Sequence, residues 1–314
     1  MLFNKQVARK PKPITVQLVG GLGNQLFGYF AGLYAAERLG CQVRYDISKQ
    51  DKGFSAHGSS IASFTLPELF GTFDKGLLSP KRLIQRSFEI LAGFVPALRP
   101  IQSRLFKTFT STEVGFDPAF EAIQPGTFVR GYFQSHVYVD AIVRNPNFHG
   151  LTLTQPSNWF ENLESNAISN RPLMVHVRRG DYTKLADEFG MLSADYYVSA
   201  INLVREKIGG SGPIWVFSDE IEQVKIELES AFIEAEIIDQ TEWILPPTGT
   251  DAAESLLLMS LGSANVISNS TFSWWSAILN KDAVVVAPQK WFRGKEDPQG
   301  LIPKAWLQMP SSWK

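Results

Sequence analysis

Short β-branched runs alternate with longer stretches of helical periodicity, and this alternation limits the fold more than any other feature of the sequence. Ile14–Val19 is one such run. Glycines follow it, then the apolar-periodic stretch Asn24–Leu39, then two further predicted strands at Gln42–Asp46 and Thr127–Tyr132. The second half repeats the pattern more clearly. Leu173–Arg178, Ile214–Ser218, Glu236–Asp239, Asn265–Ser268 and Ala283–Ala287 read as strands, with helices predicted at Ser193–Ile208, Glu220–Phe232, Asp251–Leu261 and Phe272–Asn280. In the second of these helices Ile221, Val224, Leu228 and Phe232 fall on one face. Strand–helix alternation implies parallel sheets covered by helices on both sides. A chain of 314 residues has room for two such units. The expectation is an α/β fold of two Rossmann-like domains facing a cleft, one spanning 1–152 and the other 153–314. The polar segment Thr152–Asn158 is the expected linker.

Composition narrows the function. Thirty Lys and Arg against 31 Asp and Glu leave a net charge of −1, so there is no basic excess of the kind that binds nucleic acid. The 44% apolar and 19% charged fractions support a sizeable core. One cysteine, Cys41, excludes a disulfide framework, and with only four histidines a zinc centre is not expected. Lys5, Arg9, Lys10 and Lys12 precede no apolar segment, and no apolar run is long enough to span a bilayer. These features predict a cytoplasmic protein, at most peripheral to the membrane. From Lys75 to Lys107 there are seven basic residues and one acid, Glu89, interleaved with apolar residues. That segment reads either as a surface for a membrane or an acceptor, or as a solvated helix face.

Four stretches carry candidate chemistry. Gly20-Gly21-Leu22-Gly23-Asn24-Gln25-Leu26-Phe27 follows a strand and opens a helix, where free N–H groups suit a phosphate or sugar oxygen. The dinucleotide fingerprint wants a further glycine where Leu26 stands, so a nicotinamide site using Asp46 as the ribose-binding acid is a weaker reading than a sugar-nucleotide site or a structural turn. His176-Val177-Arg178-Arg179-Gly180-Asp181-Tyr182 ends an apolar strand, where ligand sites of α/β sheets gather. Strand alternation sends His176 and Arg178 to one side and Arg179 to the other. One arginine is then free to grip phosphate, while the other supports the loop, for example by pairing with Asp181. Asn269-Ser270-Thr271-Phe272-Ser273-Trp274-Trp275 places a Ser/Thr cap at a helix start, with the two tryptophans as core. Ser218-Asp219, at another strand end, offers a carboxylate to a base edge or a ribose, or else caps a helix. No Asp-x-Asp pair, phosphate loop, or His-Glu-x-x-His string occurs, so any diphosphate must be met by arginine and helix ends.

Taken together, these strings resemble the family 11 glycosyltransferases, the α-1,2-fucosyltransferases. The resemblance runs in order through Gly21–Phe27, Tyr45-Asp46, Gly131–Ser135, His176–Tyr182, Ser218-Asp219, Leu257–Ser260 and Asn269–Trp275. It implies a GT-B arrangement, with an acceptor-side N-terminal domain and a C-terminal domain holding GDP-fucose. It also implies a β-galactoside acceptor, inversion at fucose C1, and no metal or other cofactor. Under this reading Arg178 is the main clamp on the leaving diphosphate. His176, Arg179, Asp219, Ser270, Thr271 and Phe272 bind the donor, and Gly23 and Asn24 face it across the cleft. Asp181 is the first candidate for the base that takes the acceptor proton, with Asp187 and Glu188 behind it. Gly28, Glu220 and Gly262 depart from the commoner Gln, Asp and Cys of the family.

Overall fold

The β-branched runs become strands of two parallel sheets. The computed structural model describes residues 10–47, 61–66, 72–74, 107–146, 148–210 and 212–314, with the isolated positions 84, 87, 91 and 95. The basic segment Lys75–Lys107, apart from its last residue and those isolated positions, lies outside the described residues. The first sheet is built from β1 (Ile14–Gln17), β2 (Val43–Asp46), β4 (Thr72–Asp74), β5 (Thr108–Thr110) and β6 (Phe128–Arg130); the short β3 (Phe64–Thr65) lies outside it. Its order is β4-β2-β1-β6-β5, with every pairing parallel. The second sheet is built from β8 (Leu173–Val177), β9 (Ile214–Ser218), β10 (Thr241–Trp243), β11 (Ala264–Val266), β12 (Val284–Pro288) and β13 (Leu307–Met309). Its order is β10-β9-β8-β11-β12-β13, again all parallel. Between the two sheets in sequence, β7 (Thr152–Leu153) pairs antiparallel with β3.

Both sheets reverse their direction of growth beside their first strand. In the first, the chain moves outward from β1 to β2 and β4, then returns to add β6 on the other side of β1. In the second, it moves from β8 to β9 and β10, then returns to add β11 against β8. Helices from the two sides part at such points and leave a crevice at the carboxyl ends of the strands. The two crevices are therefore bounded by the residues after β1 and β6, and by those after β8 and β11.

The helix Leu22–Leu39 follows β1 and is apolar almost all round; Leu26, Phe27, Phe30 and Ala31 are fully buried. It is buried because it has three neighbours: the first sheet, the helix His136–Val143, and the helix Thr271–Leu279 of the second unit. Phe27 packs 4.5 Å from Trp274 and 5.1 Å from Trp275, and Phe30 packs 4.7 Å from Trp275. The indole N–H of Trp275 donates to Gly23 O at 2.8 Å. The two tryptophans thus form the core that joins the units.

The sequence expectations differ from the structure at several places. The strand expected at Glu236–Asp239 is a turn and a 3-10 helical stretch; the strand is Thr241–Trp243, because Glu236 takes a positive φ and Ile237 folds back to bond Phe232 O. The expected linker Thr152–Asn158 is ordered. Thr152 and Leu153 pair with β3, and Ser157 caps an unforeseen helix, Asn158–Asn170, while donating to Glu254 at 2.6 Å. Gly262, which departs from the family's cysteine, has no room for one here: a Cβ would sit 2.5 Å from both Met174 Cγ and Pro172 O.

Candidate active site

Two adjoining cavities open where the crevices meet. The smaller, about 300 Å³, is bounded by Gly21–Asn24 after β1, Gln134 after β6, Arg178, Asp181 and Tyr182 after β8, and Ser270–Phe272 after β11. The larger, about 520 Å³, is lined by His176, Ser218, Asp219, Ile244, Asp251 and their neighbours. Arg178, Ala252 and Phe272 belong to both.

Arg178 is the only cation among the described residues that line either cavity. Its Nη2 lies 2.6 Å from Asp181 Oδ1, its Nη1 lies 3.0 Å from Asp219 Oδ2, and its guanidinium stands 5.4 Å from the Tyr182 ring. Burial works against its charge, but Asp219 and Asp181 outweigh that, and the net direction is a pKa above the usual arginine value. Its Nε is buried and has no hydrogen-bond partner. Gly180 makes the close packing possible. Its φ is +26°, and a Cβ there would fall 2.2 Å from Asp219 Oδ2.

Arg179 takes the opposite course, as strand alternation requires, but not to the expected end. Its side chain is 1% exposed and lines neither cavity. Nε donates to Glu227 at 2.7 Å, Nη1 to Arg178 O at 2.9 Å, and Nη2 to Leu192 O at 3.1 Å. Glu227 lies within 2.7 Å of Lys314 Nζ as well. Burial pushes Glu227 upward, but its bonds to Lys314, Arg179 and Gln223 outweigh this and hold its pKa at about 2. The expected donor contact from Arg179 is therefore corrected: it is a buried scaffold for the loop, and its carboxylate partner is Glu227, while Asp181 pairs with Arg178. Asp219, by contrast, borders the larger cavity, where its carboxylate accepts the Arg179 backbone N–H at 2.9 Å and holds Arg178.

His176 is buried at the back of the larger cavity. Its Nδ1 and the Ser268 hydroxyl are hydrogen-bonded at 2.9 Å, and its ring stands 5.4 Å from Phe272. Burial, with the adjacent Arg178 charge, lowers its pKa to about 4 against the opposing pull of Asp219, so the ring is neutral at pH 7.

Ser270 caps the helix Thr271–Leu279, accepting from Phe272 N at 3.3 Å, and the helix start faces the smaller cavity. Its free N–H groups and the Arg178 guanidinium together make an anion-binding corner. Gly23 lines the same cavity, but its lack of a side chain serves packing first. A Cβ would meet Thr271 Oγ1 and backbone C at 2.6 Å, so glycine lets the two units approach. Asn24 lines the cavity and accepts from Gln134 Nε2 at 2.9 Å.

Asp181 is 58% exposed and is the only carboxylate among the described residues lining the smaller cavity. Asp187 and Glu188 line neither cavity, and Glu188 is paired with Lys295 at 2.5 Å. Asp46, the candidate ribose acid, is buried at the end of β2 and lines neither cavity.

The sequence reading of single residues passed over three that matter. Tyr182 donates to Asn269 O at 3.0 Å and ties the loop after β8 to the loop after β11. Asn269 bonds the carbonyls of Phe189, Gly190 and Trp291, fixing the aromatic wall of the cavity. Gln134 stood within a quoted string but drew no role; its neighbourhood, Phe133 at φ +53° and fully buried, marks a chain held in place by its surroundings. Among the described residues no cluster of three His, Cys, Asp or Glu side chains forms a metal site, and no helix is long and apolar enough to cross a membrane.

The model of glycosyl transferase family 11 matches residues 130–306, which includes three of the four cavity-bounding segments. The chain belongs to that family. Family 11 membership makes it a glycosyltransferase, acting on an activated sugar and a glycan acceptor. An α-1,2-colitosyltransferase of Escherichia coli is 26% identical over 316 aligned residues, covering 94% of this chain and 98% of that protein. The O-antigen biosynthesis glycosyltransferase WbnK of Escherichia coli is 35% identical over 143 residues, 43% of each chain. The crystal structure of the fucosyltransferase NodZ from Bradyrhizobium matches with a TM-score of 0.47 at 14% identity, covering 85% of this chain and 92% of that one.

Proposed function

We propose that this glycosyltransferase transfers L-fucose from GDP-fucose to the 2-hydroxyl of a terminal β-galactoside, with inversion at C1 and without a metal ion. The observation that carries this reading is the position of Arg178. It is the one charged residue in the wall shared by the two cavities, beside a helix N-terminus, with a buried Nε still unpartnered. A nucleoside diphosphate sugar has the same three-part layout. The base takes the larger cavity beside neutral His176, the diphosphate crosses at Arg178, and the sugar enters the smaller cavity. As the bond from C1 to the β-phosphate oxygen breaks, negative charge grows on GDP. The Arg178 guanidinium and the free N–H at Thr271 would meet that charge, which is the form of stabilisation that lowers such barriers most. Asp181 stands in the same cavity as the sugar and takes the proton of the incoming hydroxyl.

The colitosyltransferase relative favours a second reading of the donor alone. Colitose is L-fucose without its 3-hydroxyl, so both sugars suit the same arrangement. Incubation with lactose, EDTA and either GDP-fucose or GDP-3-deoxyfucose decides between them. The first reading expects α-1,2-fucosyllactose and free GDP. Turnover of the deoxy donor only would shift the assignment to the second, and hydrolysis or silence with both donors across a panel of β-galactosides would overturn the reaction.

A further inference from the structure

Among the described residues lining the smaller cavity, Gln134 is the one whose side chain is more than nine-tenths buried, at 7% exposure, while keeping a polar atom without a partner. Its amide nitrogen is spent on Asn24 Oδ1 at 2.9 Å, and its Oε1 is the orphan. A buried acceptor left unsatisfied is costly, and this one belongs to a side chain on a cavity wall, where a ligand can complete it. The position is rigid. Gln134 N donates to Val114 O at 2.8 Å, Phe133 before it is fully buried at positive φ, and Ser135 after it caps the helix His136–Val143.

The chemistry of the missing partner follows from the atom. A carbonyl oxygen accepts and repels phosphate oxygens, so it fits a hydroxyl. With the diphosphate at Arg178 and the base in the larger cavity, the hydroxyl in reach is one on the transferred ring. The aromatic side of the cavity, with Phe189, Trp291 and Phe292, is left for the acceptor. We infer that Gln134, held by Asn24, accepts a hydrogen bond from a ring hydroxyl of the donor sugar and so selects among 6-deoxyhexoses that differ by one hydroxyl. This inference rests on the donor reading above.

The test measures kcat/KM for the full-length enzyme and for Gln134→Leu with GDP-fucose and with its 2-deoxy, 3-deoxy and 4-deoxy counterparts, alongside GDP affinity. In the parent enzyme one deoxy donor should fall about 10- to 100-fold below GDP-fucose. Gln134→Leu should lower GDP-fucose by a similar factor, leave that deoxy donor nearly unchanged, and keep GDP affinity. If Gln134→Leu also loses GDP affinity, the near-isosteric Gln134→Met makes the same comparison in a chain that still binds GDP. Equal losses on all four donors, an unchanged rate with GDP-fucose, or a parent enzyme that treats all four alike would each overturn the inference while leaving fucosyl transfer standing. A parent enzyme that uses none of the four sinks the donor reading and this inference with it.

Discussion

The two crevices bring different chemistry to one cleft. The end of the second sheet supplies formal charge: Arg178, the carboxylates of Asp181 and Asp219 that hold it, and a helix start beside it. Among the described residues lining the two cavities, the first sheet's strand ends supply none. Their contribution is Gly21, Gly23 and the paired amides of Asn24 and Gln134. The same topological device thus yields a wall suited to an ionised leaving group and a wall suited to uncharged hydroxyls. The charged wall also demands a deeper support. Arg179 and Glu227 form an ion pair behind it, whereas the uncharged wall is set by backbone turns and close packing.

That contrast predicts where substitutions act. The largest effect on folding is expected from Arg179→Ala, which removes the buried partner of Glu227 and leaves it to the more exposed Lys314. Removing one member of a buried pair costs about 3–5 kcal/mol, readable as a lower denaturant midpoint. An unchanged midpoint would mean that the charged wall needs no such support. Next comes Arg178→Ala, which removes the donor proposed for the leaving group. Turnover should drop on the order of 10²–10³-fold in a chain that still melts cooperatively. By contrast, Asn24→Ala should leave GDP binding, measured by calorimetry, close to that of the parent; loss of GDP binding there would erase the division between the walls. The third effect is on pH. Burial holds His176 neutral in the folded chain down to about 4, while the unfolded chain takes up a proton from 6.5 downward. Stability from this group is therefore complete above 6.5 and is lost as pH falls toward 4. Denaturant melts across that window should steepen the contrast with His176→Asn, whose stability curve should be flatter; parallel curves would count against a neutral histidine. The smallest effect is Ser270→Ala, which removes the cap from the helix start and should cost about 1 kcal/mol.

Much of this arrangement is written locally. A β-branched run followed by glycines, an apolar strand ending in Arg-Arg-Gly, and a Ser-Thr before an aromatic helix each fix a turn and its exposed N–H groups through short-range sterics and hydrogen bonding. That is why the parallel sheets, a Ser/Thr cap at 270–271, the opposite faces of Arg178 and Arg179, and the core role of Trp274 and Trp275 could be read from the chain. Strand alternation separates two arginines but does not say which face meets the cleft. Only the tertiary structure put Glu227, 48 positions away, against Arg179 and left Arg178 to Asp219 and Asp181. It also brought Gln134 to Asn24 across 110 positions. A buried charge or amide takes whichever partner the packing of distant segments delivers, and that choice has no local signal in the sequence.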